Sequence, residues 1–286
     1  MSDHNALLTV EKISKRFSLG PLRQLVLDQC SFALEEGRLT VLIGPSGCGK
    51  STLVNILAGY ENVDSGEVRV LGAPVRGPGA DRLVVFQESA LFQWMTTYEN
   101  IVYGPTVMRK RSKAEIHADA MRLLEKVGLT EFKDKYPNQL SGGMQRRAEL
   151  ARAMITNPKI MMLDEPFRGL DAMTRDLMQE YFLRLYEERK QTVLFVTSEI
   201  DEAIFLADRV LIMSNRPGHI KHVMEIDLSR PRTAEILTST EYLKYKEESL
   251  EVLHAEAVKA FSTGSKAAAD FLAGYAAQKK NLHTLR

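Results

Sequence analysis

The sequence predicts an α/β fold with a parallel sheet at its core, and three observations support this. Short apolar runs alternate along the chain with stretches of helical periodicity, the pattern expected when each buried strand is followed by a covering helix. One apolar run leads directly into a glycine-rich segment, and another ends in two adjacent carboxylates. Open parallel sheets carry their chemistry at the carboxyl ends of strands, so both features are expected at one edge.

The glycine-rich segment follows the apolar run Leu39–Ile43 and reads GPSGCGKST, which contains the pattern G-x-x-x-x-G-K-S. In a strand–loop–helix context this pattern predicts a phosphate-binding loop, whose N–H groups and following helix start converge on an anion. Lys50 is expected to reach the β- and γ-phosphates of ATP, and the Ser51 hydroxyl is expected to bind Mg²⁺. The predicted nucleotide-binding residues are Gly44, Pro45, Ser46, Gly47, Cys48, Gly49, Lys50, Ser51 and Thr52, with Cys48 as a small filler. The fold is therefore predicted to be a P-loop NTPase with a RecA-like parallel core.

The two carboxylates, Asp164 and Glu165, end the apolar run that begins after Lys159. Asp164 fits the role of a magnesium ligand, and Glu165 fits that of the general base toward the attacking water. Two carboxylates at a strand end can also be simple surface charge. The phosphate-binding loop in the same chain makes the catalytic interpretation the preferred one.

A second anion-binding helix start is predicted between these two motifs. Ser141 can cap a helix, and Gly142 and Gly143 leave the N–H groups of its first turn uncovered. One triphosphate does not need two such helix ends from one subunit. The simplest interpretation is that this end serves the nucleotide of a facing subunit, while an ordinary capped helix is the alternative.

With these motifs, the sequence resembles the ATP-binding subunits of ABC transporters over about residues 7–228. LSGGMQ, beginning at Leu140, is similar to the signature motif, Gln87 to the Q-loop and residues 168–171 to the D-loop. The resemblance implies that Phe17 stacks on adenine, that Gln87 contacts magnesium and assists catalysis, and that Asp171 helps bind the nucleotide. It also implies a head-to-tail dimer, expected to be a homodimer, in which each of two ATP molecules lies between one phosphate loop and the other subunit's Ser141 and Gly143.

A narrower resemblance links the chain to importers of nitrate, sulfonate, taurine and related small anions. Residues 81–88, 91–95 and 214–218 carry it, and all three are expected where the subunit meets membrane-spanning permease subunits. A full system of this kind is expected to include an extracytoplasmic substrate-binding protein. Phe92, Trp94 and Met95 are interpreted as a groove for a permease helix, and a local core is the alternative.

The composition of the chain argues against several other classes of protein. The 286 residues carry a formal net charge of +1, which does not suggest a nucleic-acid-binding protein. Two cysteines form no disulfide framework and favour a reducing compartment. No apolar run approaches the ~20 residues that span a bilayer, and the N-terminus lacks a signal-peptide core. The expected location is the cytoplasmic face of the plasma membrane, as a peripheral subunit.

The predicted layout has three further parts. Strands in residues 7–35 and 66–71 should form an antiparallel region beside the nucleotide, and residues of about 94–153 a helical subdomain. The ABC-type domain is expected to end near residue 228, and residues 229–286 to form a helical extension. In that extension a capping box is predicted at residues 238–241, followed by an apolar stripe and then a second helix at 266–278. The stripe is expected to pack on the body or on the same extension of the other subunit. The stripe comprises Leu243, Leu250, Leu253, Ala257 and Phe261.

Ser198 follows the predicted strand Thr192–Thr197, at the position where the resembled family carries a histidine that contacts the γ-phosphate. Serine reaches less far than imidazole and carries no charge. Three interpretations follow: a slow ATPase in an importer, an ATP-binding subunit with strongly impaired hydrolysis that gates or pairs with a competent partner, or a soluble ATPase of another class. The first is preferred because the rest of the catalytic set is present. The third is least favoured, since the chain has no zinc-type cysteine pairs and no basic excess.

Overall fold

The computed structural model describes residues 6–19 and 22–262. The strands are β1 (Ala6–Leu19), β2 (Leu22–Glu35), β3 (Leu39–Ile43), β4 (Ser65–Val70), β5 (Ala73–Pro74), β6 (Arg82–Val85), β7 (Ile160–Asp164), β8 (Thr192–Thr197), β9 (Arg209–Met213) and β10 (Ile220–Glu225). The helices are α1 (Lys50–Ala58), α2 (Thr97–Met108), α3 (Lys113–Lys126), α4 (Gly142–Ile155), α5 (Ala172–Arg189), α6 (Ile200–Leu206) and α7 (Thr240–Ser262). None of these helices is long and apolar enough to cross a membrane.

The central sheet has the strand order β10-β9-β3-β8-β7-β6. Five of its strands are parallel, and β10 pairs antiparallel with β9. The predicted parallel core is confirmed. Strand β10, which the sequence analysis did not predict, covers β9, and β6 ends at Val85 so that Phe86 leaves the sheet.

Alternating residues of the central sheet enter two separate hydrophobic clusters. Leu42, Leu194 and Val196 pack with α1 and the antiparallel sheet, whose order is β2-β1-β4-β5. Val41 and Phe195 face the opposite side, toward helices α2 to α6. Successive strand residues point to opposite faces, so continuous apolar runs are what a sheet covered on both sides requires.

The helices predicted for residues 94–153 are present as α2, α3 and α4. Thr96 and Ser112 begin α2 and α3, and each forms a capping box with the glutamate three residues later. Helix α4 begins at Gly142, with Ser141 as its cap, and packs against α2. The subdomain therefore presents the glycine-rich start of α4 at the protein surface.

Helix α7 packs on the body through a different face from the predicted one. Its buried residues are Tyr242, Ser249 and Glu256, spaced seven apart, whereas Leu243 is 53% exposed and Leu250 is 48% exposed. Packing of the predicted stripe on the body is therefore wrong at both leucines, while packing on the other subunit stays a prediction. The polar residues are buried because each has a partner: Ser249 lies 3.6 Å from the Met224 sulfur, and Glu256 accepts from a backbone N–H.

The start of α7 is also shifted from the prediction. The hydroxyl of Ser239 accepts from the Tyr242 N–H, so the cap is one residue later than Thr238. The Tyr242 hydroxyl donates to Asp201 on α6 at 2.6 Å. The side chain of Phe261 and the predicted helix at 266–278 lie outside the described residues.

The packing of α7 gives a direct stability test on two adjacent residues. Tyr242→Ala should lower the free energy of unfolding by about 3–5 kcal/mol, because it empties a buried aromatic site. Leu243→Ala, one residue later on the exposed face, should change it by less than about 0.5 kcal/mol. Urea denaturation followed by circular dichroism measures both. Equal losses, or a larger loss for Leu243→Ala, would contradict the observed face.

Candidate nucleotide-binding site

The parallel strands end at one edge of the sheet, and the loops that follow them enclose a cleft of about 610 Å³. Ile43 of β3 is paired with Thr197 of β8 and with Ile212 of β9, so three strands reach this edge together. Of the residues predicted from sequence, the cleft contains Phe17, Ser46, Gly47, Gly49, Lys50, Ser51, Thr52, Gln87 and Glu165. Arg168 and Arg216, which were not predicted as site residues, also line it.

The phosphate-binding loop connects β3 to α1 through a sharp turn at Gly49. Gly49 has a φ of 111°, and a Cβ there would lie 2.9 Å from Leu27 Cδ2, so only glycine fits. The Lys50 ammonium is buried and donates to the carbonyls of Gly44 at 2.9 Å and Pro45 at 3.4 Å. A cation thus holds two loop carbonyls, which leaves the loop N–H groups for an anion.

Cys48 lies within this loop and faces the interior. Its side chain is fully buried, and burial raises the pKa of the thiol, against the opposing charge of Lys50. A protonated, inaccessible thiol is not a nucleophile. The structure therefore supports the prediction that Cys48 fills space in the loop.

Asp164 ends β7 beside the start of α1 and is only 8% exposed. One carboxylate oxygen, Oδ1, is buried and has no hydrogen-bond partner among the described residues. Burial raises the pKa of this carboxyl, the nearby Ser51 hydroxyl lowers it, and the charge of Glu165 raises it. An unpaired buried carboxylate oxygen next to a hydroxyl suits a hard cation such as Mg²⁺.

Glu165 is held in a backbone conformation that is rare for a residue with a side chain. Its φ is 45°, and its N–H donates to the Val196 carbonyl at 2.8 Å. The carboxylate lies 2.8 Å from an Arg168 guanidinium nitrogen and 3.8 Å from the Lys50 ammonium. The proposed base therefore faces the phosphate loop while two cations stand beside it.

Gln87 leaves the end of β6 and is exposed in the cleft. Arg146 of α4 donates to the carbonyls of Phe86 and Gln87 and pairs with Glu149 at 2.6 Å. Arg146 and Glu149 are both buried, and burial lowers the pKa of the arginine. Sequence reasoning missed this ion pair, because on a helix an i,i+3 pair of opposite charge reads as an exposed pair.

Phe17 lies near the end of β1, opposite Gln24 of β2, and is 36% exposed. The Lys15 ammonium lies 5.1 Å from the centre of its ring. The ring is thus in the cleft beside Ser46 and Gly47, at the place where an adenine could stack.

Four predicted residues are on another surface of the chain. Ser141, Gly142, Gly143 and Asp171 surround a separate cavity of about 550 Å³. Ser141 caps α4 by accepting from the Met144 N–H at 3.3 Å, and Asp171 caps α5 by accepting from the Thr174 N–H at 3.0 Å. None of the four lines the cleft of this chain. If they contact a nucleotide, it is one bound in the cleft of another subunit.

Ser198 is exposed at the end of β8 and does not line the cleft. Within the described residues its hydroxyl has no hydrogen-bond partner. The Glu165 N–H donates to the carbonyl of Val196, which lies two residues before Ser198 on β8. Ser198 is therefore at the end of β8 that is nearest Glu165, but its side chain contacts none of the predicted catalytic residues. Its predicted role finds no direct geometric support in this state.

Residues 214–218 are expected, from the family resemblance, at the surface for the membrane partner. The structure places them beside the phosphate loop, because β9 is parallel to β3 and its following loop reaches the same edge, and contact with the membrane partner stays a prediction. Arg216 donates to the Gly47 carbonyl through Nε at 3.0 Å and Nη2 at 2.7 Å. The parallel neighbour relation is the signal that could have located this residue.

Comparison with known proteins agrees with this geometry. A family model described as ABC transporter matches residues 27–168. An uncharacterized ABC transporter ATP-binding protein of Methanocaldococcus jannaschii is 42% identical over 254 residues, covering 88% of this chain and 93% of that protein. The bicarbonate transport ATP-binding protein CmpD of Synechocystis sp. is 40% identical, with 87% of this chain and 89% of that protein covered.

Two further similarities concern transport and nucleotide state. The aliphatic sulfonates import ATP-binding protein SsuB of Bacillus thuringiensis is 42% identical, covering 79% of this chain and 88% of that protein. A dimeric ATP-binding cassette solved in a post-hydrolysis state with ADP and Pi has a TM-score of 0.68 and 28% identity, covering 78% of this chain and all of that one. The motifs, the fold and these relatives together show that this chain belongs to the ATP-binding proteins of the ABC transporter family.

Proposed function

We propose that this chain is the ATP-binding and ATP-hydrolysing subunit of an ABC importer for a small anion or organic solute. The observation that carries the proposal is the cleft in which Lys50, Ser51, Gln87 and Glu165 meet below an exposed aromatic ring. With Phe17, which carries the ring, these residues come from four different segments of the chain. Their convergence supplies phosphate binding, a place for a metal and a general base in one site.

Binding of the triphosphate uses the loop N–H groups, the start of α1 and Lys50. In the structure the Lys50 ammonium donates to two loop carbonyls and is already buried at the base of the cleft. It can exchange part of this contact for β- and γ-phosphate oxygens without moving far. The Phe17 ring provides the stacking surface for the base, at the open side of the same cleft.

Asp164, Ser51 and Gln87 are the residues that would hold Mg²⁺. The buried, unpaired Oδ1 of Asp164 fits this role, because a carboxylate left without a partner in the interior is costly unless a cation satisfies it. When bound, the ion would offset negative charge on the phosphates. Ser51 is near enough to Asp164 to lower the pKa of its carboxyl, so the two proposed ligands are neighbours.

Glu165 would accept a proton from the water that attacks the γ-phosphate. Its carboxylate is paired with Arg168, which lines the cleft and is itself largely exposed. The base becomes free when Arg168 turns toward the phosphates, which attract a guanidinium more strongly than one carboxylate does. The backbone bond to Val196 keeps the Glu165 main chain fixed during this exchange.

A second copy of the chain would complete the site. Ser141 and Gly142 are exposed on a surface away from the cleft, and Gly143 beside them is half-buried, with Thr174 Cγ2 3.2 Å from where its Cβ would be. A head-to-tail pair places this helix start against the other copy's triphosphate. Two ATP molecules would then be held between two copies.

The membrane partner would dock beside Gln87. A groove of about 360 Å³ is lined by Phe86, Phe92 and Tyr103, and Trp94 next to it is 72% exposed. Arg152 and Arg146, both on α4, donate to the carbonyls of Ala90 and Phe86, which line this groove. A permease helix seated here would hold the subunit at the cytoplasmic face of the membrane, in a system that includes an extracytoplasmic substrate-binding protein.

One observation favours a second candidate, an ATP-binding subunit with strongly impaired hydrolysis. Ser198 is exposed, does not line the cleft and makes no side-chain hydrogen bond within the described residues, so no contact ties it to the phosphate site. The loss of one transition-state donor typically lowers a rate by ~10²–10³. Such a subunit would gate transport or pair with a competent ATPase.

Lys50→Ala tests nucleotide binding. The variant should bind ATP at least ~100-fold more weakly, because it removes the buried cation at the phosphates and also frees two loop carbonyls to turn inward. Isothermal titration calorimetry measures the affinity, and Lys244→Ala on the exposed side of α7 serves as the matched control. Unchanged affinity in Lys50→Ala would remove the phosphate-loop assignment.

Glu165→Gln tests the shared site. With the base removed and the phosphate loop intact, MgATP should accumulate a stable dimer that light scattering detects at twice the monomer mass. Adding Ser141→Arg should abolish that dimer, since a bulky cation fills the place of the close N–H contact. A Glu165→Gln protein that stays monomeric at high concentration, with and without its permease, would contradict the head-to-tail model.

Ser198→His separates the two candidate functions. If the importer ATPase is slowed by the short side chain, the histidine should raise kcat by up to ~10²-fold and leave ATP affinity nearly unchanged. Ser198→Ala is the control and should not exceed the native rate. Phosphate release is measured with the permease present. Background turnover in all three proteins would favour the non-hydrolysing subunit.

A further inference from the structure

The loop between β9 and β10 touches the phosphate-binding loop through one arginine. Arg216 directs both Nε and Nη2 at the single carbonyl of Gly47, at 3.0 and 2.7 Å. Its guanidinium forms no ion pair with any residue of 6–19 or 22–262, and it lines the nucleotide cleft. A full positive charge thus stands at the rim of the anion site without a carboxylate beside it.

The orientation of this carbonyl matters for the loop. A phosphate-binding loop works by turning N–H groups inward, so its carbonyls must point outward and be satisfied there. Lys50 holds the carbonyls of Gly44 and Pro45, and Arg216 holds that of Gly47 from the opposite side. If the Gly47 carbonyl turned inward, its partial negative charge would face the phosphates.

The segment that carries Arg216 is itself tightly fixed. Gly218 donates to the Val26 carbonyl at 2.8 Å and accepts from the Asp28 N–H at 3.0 Å. A Cβ on Gly218 would lie 2.2 Å from the Cys48 carbonyl, so this loop and the phosphate loop are in backbone contact. Ser214 closes the turn by bonding to Pro217 at 3.1 Å. A surface loop held this firmly can transmit a constraint.

Helix α7 reaches the same segment with a buried carboxylate. Glu256 is 3% exposed, and its Oε2 accepts from the Asn215 N–H at 3.0 Å. Asn215 precedes Arg216 directly. A buried carboxylate is expensive unless it is bonded, and here one of its bonds goes to the loop that holds the phosphate site. Tyr242 and Lys246 anchor the other end of α7 to Asp201.

We propose that Arg216 is a positioning residue for the phosphate loop, and that α7 holds it in place through Glu256 and Asn215. The inference rests on ATP binding at this loop and gives the C-terminal extension a role in nucleotide affinity. A simpler role, in which Arg216 only adds general stability, predicts a lower melting temperature with unchanged ATP affinity. The two roles therefore differ in a measurable quantity.

The test is calorimetric ATP binding to the full chain. Arg216→Gln should weaken binding roughly 10- to 100-fold, because a charge-assisted fork to the Gly47 carbonyl is lost. Arg216→Lys keeps the charge but replaces the fork by a single ammonium, and it should recover only part of that loss. Arg76→Gln, an exposed arginine outside the cleft, is the matched control and should bind as the native chain does.

The role of α7 is tested by a double-mutant cycle. Glu256→Ala should weaken ATP binding about threefold or more in the native background and have little effect in the Arg216→Gln background, because both act on one contact. Glu251→Ala, exposed on the same helix, should have no effect in either. If Glu256→Ala fails to fold, Glu256→Leu fills the same site without an acceptor for the Asn215 N–H, and the same cycle is run with it.

The outcomes separate clearly. Unchanged affinity in Arg216→Gln, or full recovery in Arg216→Lys, overturns positioning by Arg216. An effect of Glu256→Ala that is equal in both backgrounds, or absent in both, overturns the link to α7. The native chain and Lys50→Ala are measured alongside: if the native chain binds no ATP, or Lys50→Ala binds as tightly, the proposed function itself fails. If those two behave as expected and Arg216→Gln does not, only the present inference fails.

Discussion

Strand β3 is hydrogen-bonded on both sides by parallel neighbours, β8 and β9, and the positions of the groups that would meet the phosphates follow from that pairing. In a parallel sheet all carboxyl ends point the same way, so the loops after β3, β6, β7, β8 and β9 must meet at one edge. The phosphate loop, the carboxylates Asp164 and Glu165, and Arg216 are distant in sequence and adjacent in space for this reason. An antiparallel β3 would have sent its loop to the opposite edge.

At that edge one cleft must hold both the cations that bind an anion and the carboxylates that stand beside them. Lys50, Arg168 and Arg216 surround a place suited to a highly charged anion, while Asp164 and Glu165 stand beside them. Two of these cations have partners that an anion can replace: loop carbonyls for Lys50, and Glu165 for Arg168. Arg216 keeps its bonds to the Gly47 carbonyl, which orient the loop. Binding an anion can therefore exchange the contacts of Lys50 and Arg168 one for one, which reduces the cost of desolvating the charges.

The sequence predicted those parts in which local pattern and chemistry coincide. The phosphate loop, the strand ends with Asp164 and Glu165, and the capped start of α4 follow from short motifs that contain their own structural context. What it missed depends on partners far away in the chain. The exposed Leu243 and buried Glu256 of α7 reverse the apolar pattern because a backbone N–H at Asn215 satisfies the carboxylate. The buried Arg146–Glu149 pair likewise depends on the carbonyls of Phe86 and Gln87, which no helical spacing reveals.

Cys48 gives the phosphate loop a chemical property unrelated to nucleotides. Thiols react with alkylating reagents and oxidants as thiolates, and burial raises the pKa of Cys48 and raises that of Cys30 to about 12. Both are therefore unreactive while the fold is closed. Labelling of Cys48 has to await an opening of the loop, whereas Cys30 on β2 awaits an opening of the antiparallel sheet. The labelling rates of Cys48 and Cys30 in the native chain therefore report the opening free energies of the phosphate loop and of the antiparallel sheet, respectively.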